Sequence, residues 1–286
     1  RGFGSTDRRP RSSPLFSGIN PYSEKFRTRF QGTRAKPPVS VNWMEKHSLN
    51  FNRQAREYHE EAYIQRETAR YAATFLEKDL TGKTIHEFGA GTGFFTHYLI
   101  QRGDLVYATD SAKAMVQLGK QSCPEAKWRI MDAWIPPFFD PVDRIYSTSL
   151  LQWAPEPVET LKNWKRILKP GGKSLHAIYV EKTLSEFFEF LPCPPPISFR
   201  SADQWETIFQ EAGFTQVKTS VKTVRYEFDS PMTLLRNLHR IGVNGSSRLN
   251  LSQINQLFSL YRDKHSLPNG KIHSTWTTCV VEAENG

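Results

Sequence analysis

The stretch Thr84-Ile85-His86-Glu87-Phe88-Gly89-Ala90-Gly91-Thr92-Gly93 decides the fold. Thr84 to Phe88 reads as a short strand, the three glycines as a turn, and Phe94 to Arg102 as the first turns of a helix. Glycines at a strand-to-helix junction let a ligand lie directly against the main chain, because no Cβ stands in the way. A dinucleotide fingerprint, G-x-G-x-x-G, requires its third glycine at position 94, but Phe94 stands there and the glycine comes one residue early, at Gly93. Asp110 follows Gly93 by seventeen residues and closes a second apolar strand, Leu105 to Thr109. A carboxylate there can accept both hydroxyls of a ribose through charge-assisted bonds. The same residues admit a plainer reading, in which the glycines form an ordinary tight connection and Asp110 caps the helix that follows.

Working outward, strands and helices alternate: strand 84–88, helix 93–102, strand 105–109, helix 111–121, strand 127–131, strand 142–147, helix 157–168, strand 173–180. Alternation of this kind predicts right-handed crossovers and an α/β fold with a mostly parallel sheet. Helix 203–212 ends at Gly213, a left-handed cap, before strand 216–227, and a seventh strand covers 272–282. Upstream of the sheet, Tyr58, Ala62, Gln65, Ala69 and Ala72 recur at helical spacing and predict an amphipathic helix from Arg53 to Leu76. Residues 229–269 form an insertion read as two helices, Pro231 to Ile241 and Leu251 to His265. It is either a helical hairpin packed on the sheet or a substrate lid.

The net charge of +9 is unevenly spread, since residues 1–48 hold ten basic and three acidic side chains and the remainder is close to neutral. This first segment, rich in Arg, Ser and Pro, has no strand or helix period and is expected to be disordered, leaving a second unit over 49–286. Its composition also suits a transit peptide, and Met44, the first methionine, stands just before the folded pattern, so a non-native extension is a further reading. The near-neutral body argues against a nucleic-acid partner. No run approaches the roughly 20 apolar residues of a membrane span. Cys123, Cys193 and Cys279 are widely spaced, which suits neither a disulfide framework nor a metal site, so a reducing, cytoplasmic setting is expected.

The pattern E-x-G-x-G-x-G resembles the first motif of class I S-adenosylmethionine-dependent methyltransferases, a Rossmann-like fold with a seven-stranded sheet and helices on both faces. Asp132, after the third strand, resembles the position that contacts the adenine amino group, and Leu168-Lys169-Pro170-Gly171-Gly172 resembles the segment before the fifth strand. The resemblance implies S-adenosylmethionine as cofactor, held by Glu87, Gly89, Ala90, Gly91, Gly93, Asp110, Ser111, Asp132, Ala133 and Ser147.

Further segments are similar to the malonyl-acyl carrier protein O-methyltransferases of biotin synthesis. They are the opening helix from Phe51 to Tyr58 with Ala62 and Gln65, Ser149-Leu150-Leu151-Gln152-Trp153, Thr183-Leu184-Ser185-Glu186-Phe187, and Leu235 to Arg240 running into Gly242-Val243-Asn244. The chain departs from that family in having His239 where lysine is usual, Lys182 where glycine is frequent, and Thr275-Trp276 in place of a Thr-Tyr pair. The resemblance implies a monomer acting on a malonyl thioester of acyl carrier protein or coenzyme A, with Tyr58, Gln152, Trp153, Arg236 and His239 toward the acceptor. Tyr58 either closes over the methyl donor or is a packing tyrosine. Arg236 either grips the acceptor carboxylate or faces the carrier, and Trp153 either lines the pocket or is core. Arg240, Arg248, Arg262 and Lys264 give the insertion a basic surface suited to an acidic carrier.

A malonyl carboxylate, with a pKa of about 4, is already ionised near neutral pH, so no catalytic base is required. Tyr58 is then a positioning candidate. Competing readings are another small-molecule O- or N-methyltransferase, a noncatalytic cofactor-binding assembly factor, and a nucleic-acid module using the basic arm.

Overall fold

The computed structural model describes residues 51–137, 140–191, 197–240 and 249–286. The readings of segment 1–48, Met44, Cys193, Gly242-Val243-Asn244 and Arg248 lie outside the described residues.

Seven strands form one sheet: β1 (Thr84–Phe88), β2 (Leu105–Asp110), β3 (Lys127–Ile130), β4 (Val142–Thr148), β5 (Leu168–Tyr179), β6 (Thr215–Phe228) and β7 (Ile272–Glu284), in the order β3-β2-β1-β4-β5-β7-β6. Pairs among the first five strands are parallel, and β7 runs antiparallel to both β5 and β6. Alternation along the strands sends Ile85, Val106 and Tyr146 to one apolar cluster and Phe88, Ile145 and Ile178 to another. Trp164 stacks on Phe88 at 4.7 Å and donates its indole N–H to Ala133 O, which anchors the helix α5 (Pro157–Arg166).

Helices α3 (Thr96–Ile100), α4 (Lys113–Ser122), α5 and α7 (Ala202–Glu211) cover the faces. Three boundaries differ from the sequence reading. The helix after the glycine run is only five residues, because Gly93 takes a φ of +96° and the turn carries on to Phe95. The fifth strand begins at Leu168, as Val142 pairs with Leu168 across a bulge before regular pairing resumes at Lys173. The opening helix is broken at Ala62 into α1 (51–61) and α2 (Tyr63–Ala73). Arg66 takes up carbonyls freed at that break, donating to His59 O and Glu60 O at 2.8 and 2.5 Å, and lies over the Phe94 ring at 4.9 Å. α1 is thereby tied to the residue that follows the glycine run.

Helices α8 (Pro231–Arg240) and α9 (Leu251–His265) form the insertion, with α6 (Ser185–Phe188) beside them. Leu234, Leu238, Leu257, Phe258 and Tyr261 pack with Ala62, Leu184, Phe228 and Trp276. Arg240 pairs with Glu61 and lies 3.6 Å from Glu57, so the insertion is fastened to α1 as well as to the sheet. Cys123 and Cys279 are buried free thiols. Among the described residues, no helix is long and apolar enough to cross a membrane and no cluster of His, Cys, Asp or Glu could hold a metal ion.

Lys182 occupies the left-handed region at φ +73° and its side chain is exposed. Left-handed backbone costs a non-glycine residue about 1–2 kcal/mol, part of which glycine returns through the entropy of the unfolded chain. Lys182→Gly is expected to raise unfolding stability by about 0.5–1 kcal/mol in urea titrations. A loss of stability would mean that the lysine side chain holds the turn.

Candidate active site

Parallel pairing of β1 with β2 sets Glu87 beside Ala108 and Phe88 beside Thr109, so the glycine run emerges next to Asp110. Two bonds fix it there. Ala90 N–H donates to Thr109 O at 2.9 Å, and Gly91 N–H donates to Asp110 Oδ2 at 3.0 Å. The second Asp110 oxygen accepts from Ala112 N–H at 2.8 Å, a turn just before α4, whose N-cap is Ala112 with no side-chain cap, so Asp110 does not cap the helix as the plainer reading has it. With Ser111 N–H also bonded to this carboxylate, about one of its roughly four lone-pair positions stays open for a ribose hydroxyl.

The three glycines, all at positive φ, serve different ends. A Cβ on Gly89 would stand 2.7 Å from Leu150, and one on Gly93 would stand 3.2 Å from Cys123 Sγ, so both are required for packing. A Cβ on Gly91 would meet only Tyr58 Cε1, at 3.9 Å. Gly91 is therefore the glycine that faces open space. Tyr58 forms the roof of that space, stacked on Phe94 at 5.8 Å and edge-on to Phe51 at 6.1 Å.

Glu87 is wholly buried at the end of β1. Thr96 Oγ1 donates to its Oε2 at 2.6 Å, while Oε1 has no partner. Burial pushes its pKa up to about 8, against the Thr96 bond that lowers it. A carboxylate kept neutral by burial, with one oxygen unmatched beside a glycine loop, suits an ammonium such as that of the methionine part of S-adenosylmethionine. Thr92, inside the glycine run, is equally buried with an unpartnered hydroxyl, a residue the sequence reading passed over. Glu87, Gly91 and Asp110 thus fit the methionine and ribose parts of the cofactor.

The remaining cofactor candidates are placed unevenly. Asp132 and Ser111 are exposed, Asp132 accepting from Trp134 N–H at 2.9 Å, while Ala133 is buried and its carbonyl receives Trp164. Ser147 has no exposed surface, and its hydroxyl lies 2.9 Å from His176 Nδ1, so its side chain is committed to the core rather than turned toward a ligand.

Beside Tyr58 opens a second pocket, lined by Phe51, Gln65, Ser149, Gln152, Trp153, Tyr179, Leu184, Phe199 and Trp276. It brings together Tyr58, Gln152 and Trp153 as expected. Arg236 and His239 lie instead on the exposed side of α8, where the His239 ring meets the Gln54 amide at 3.1 Å. Ser149 and Leu184 both hold left-handed backbone, at φ +55° and +59°, which places two strained residues on the pocket wall. Gln65, Tyr179 and Trp276 were not singled out as site residues, because β5 and β7 bring the latter two from far along the chain.

Residues 86–175 match the family model described as a methyltransferase domain. Together with the site, this defines the chain as an S-adenosylmethionine-dependent methyltransferase of the class I, Rossmann-like fold. More particularly, it is similar to the malonyl-[acyl-carrier protein] O-methyltransferase of Paenibacillus sp. (strain JDR-2), at 28% identity over 82% of this chain and 96% of that protein. It is also 28% identical to the biotin biosynthesis bifunctional protein BioHC of Cellvibrio japonicus, over 77% of this chain but 46% of that one. The solved structure of YcgJ from Bacillus subtilis shares the fold, with a TM-score of 0.58 at 15% identity over 76% of this chain and 97% of that one.

Between the ordinary glutamate pKa of 4.5 and about 8, the folded cofactor-free protein holds a Glu87 proton that the unfolded chain has lost. That contribution is full below pH 4.5 and fades as pH rises through 8. Glu87→Gln is expected to flatten this decline, measured as urea stability from pH 5 to 9, and to weaken cofactor binding at least tenfold. Parallel pH profiles for the two proteins would show that Glu87 is not the titrating group.

Proposed function

We propose that this enzyme methylates the free carboxylate of a malonyl thioester carried by acyl carrier protein, as a step of biotin synthesis. The observation that carries this reading is the character of the acceptor pocket. Its described lining bears no charge, and its ionisable members are two tyrosines, Tyr58 and Tyr179. Burial raises both, Tyr179 to about 12 and Tyr58 further, so both stay protonated near neutral pH and neither is a base. An amine or phenol acceptor must lose a proton to become a nucleophile. A carboxylate is ionised already, and so suits a pocket without a base.

Bound S-adenosylmethionine supplies a methyl group on a sulfonium, which passes to the acceptor oxygen while the carbon–sulfur electron pair stays on sulfur. The chain contributes alignment and dryness. Tyr58 is held over Gly91 by Phe94 and Phe51, and that stack depends on Arg66 closing the break at Ala62. Gln152 is set by its own amide donating to Ser149 O at 2.7 Å, which turns its oxygen into the pocket wall with no partner. Trp153 and Leu184 complete an apolar mouth that excludes water.

Arg236, exposed on α8, belongs in this reading to the approach of the carrier rather than to the grip on the carboxylate. With Arg262, exposed on α9, it offers positive charge to an acidic protein surface. The similarity of the chain to named malonyl-carrier methyltransferases supports the same acceptor.

Methyl transfer from labelled cofactor to malonyl-acyl carrier protein and to malonyl-coenzyme A tests the proposal. Ester formation on both is expected, with the carrier-bound substrate preferred. Arg236→Ala should raise KM severalfold for the carrier substrate and little for the coenzyme A substrate. Absence of turnover on either malonyl thioester, with turnover on an amine or phenol, would overturn the assignment.

A further inference from the structure

Three polar side chains in the acceptor pocket are buried and unmatched. Trp276 is 3% exposed with its indole Nε1–H unpartnered, and the side-chain oxygens of Gln65 and Gln152, 6% and 7% exposed, have no donor. A buried donor without a partner costs about 1–3 kcal/mol, so three around one pocket are retained at the expense of stability.

Trp276 is also held firmly. On one side, Thr275 N–H donates to Glu186 Oε2 at 3.0 Å, and Thr275 O accepts from Leu184 N–H at 2.8 Å. On the other, Thr277 N–H donates to Thr183 Oγ1 at 3.0 Å, and that hydroxyl donates back to Thr277 O. The ring meets Tyr179 edge-on at 5.1 Å, and Tyr179 in turn shares a 3.0 Å bond with Thr68. The turn 183–186 thus clamps β7 on both sides of the tryptophan.

We propose that Trp276 Nε1–H is a specificity-determining donor for the acceptor carboxylate. This rests on the carboxylate-methylating reading and goes beyond it by naming what recognises the charge. Neutral donors suit the reaction for a physical reason. As the new carbon–oxygen bond forms, negative charge leaves the carboxylate, so a salt bridge would stabilise the starting state more than the transition state. A neutral N–H selects the carboxylate, weakens its hold as the ester forms, and releases a neutral product.

The test uses Trp276→Phe, which keeps a six-membered aromatic ring and removes the donor. Hydrogen bonds to charged groups contribute about 1.5–3 kcal/mol, so KM for malonyl-coenzyme A should rise at least tenfold. Turnover at saturation should change less than threefold, and calorimetric cofactor affinity should be unchanged. Trp276→Tyr, which restores a donor, should recover part of the loss. Trp276→Phe also empties part of the indole's space, so its melting temperature is expected to fall by a few degrees while the variant stays folded. An unchanged KM in a folded variant would overturn the inference while leaving the function intact. Failure of the unaltered enzyme to methylate malonyl thioesters would overturn both. Should Trp276→Phe be unstable, replacing the indole of Trp276 by benzothiophene, which keeps both rings and removes the N–H, carries the same test, with raised KM expected and unchanged KM contradicting it.

Discussion

Parallel pairing of β1 with β2, in the one register that puts Phe88 beside Thr109, is the constraint on which the site depends. A shift by one residue would turn Glu87 to the other face and move the glycine run away from Asp110. In the observed register, Gly91 N–H reaches the Asp110 carboxylate, and the loop is fixed by a charge-assisted bond rather than by side-chain packing. Everything that touches Gly91 inherits that position, including Tyr58 above it and, through Phe94 and Arg66, the broken opening helix.

The two halves of the site use opposite electrostatics. At the cofactor end, Glu87 is buried and Asp110 half-buried, and loss of water pushes both above their ordinary pKa. Glu87, pushed up to about 8, is poised for a cationic ligand whose arrival restores its charge. At the acceptor end, the described lining is neutral and its tyrosines stay protonated. With the carboxylate acceptor proposed above, a sulfonium on one side and the anion on the other would neutralise each other during transfer, leaving little need of a fixed countercharge between them. The charged residues of the insertion are spent on the outside, where Arg240 binds Glu61 and Lys264 binds Glu189.

Local signals carried much of this into the sequence. Seven strands, the Phe94 that rules out a dinucleotide fingerprint, and the spacing to Asp110 are properties of short stretches, and each was legible. The glycines were legible as a set but not as individuals, because the packing of Gly89 on Leu150 and Gly93 on Cys123 depends on other elements. The break at Ala62 leaves no mark in the periodicity, since Arg66 repairs it through backbone carbonyls. Ser147 looked like a ligand residue from its place at the end of a strand, yet the pleat turns its hydroxyl to His176. Trp276 was noticed only as a departure from a related pattern. Its place in the pocket requires the antiparallel insertion of β7 between β5 and β6, a pairing across more than a hundred residues from Ser149.

The central claim is that the unmatched Glu87 oxygen receives the cofactor's ammonium, which requires Glu87 to ionise on binding. Calorimetric titration of the full chain with S-adenosylmethionine at pH 6.5, repeated in buffers of different ionisation enthalpy, measures the protons exchanged. Release of close to one proton per cofactor bound is expected, because a group with a pKa of about 8 is almost fully protonated there beforehand. Binding with no proton release would contradict the account.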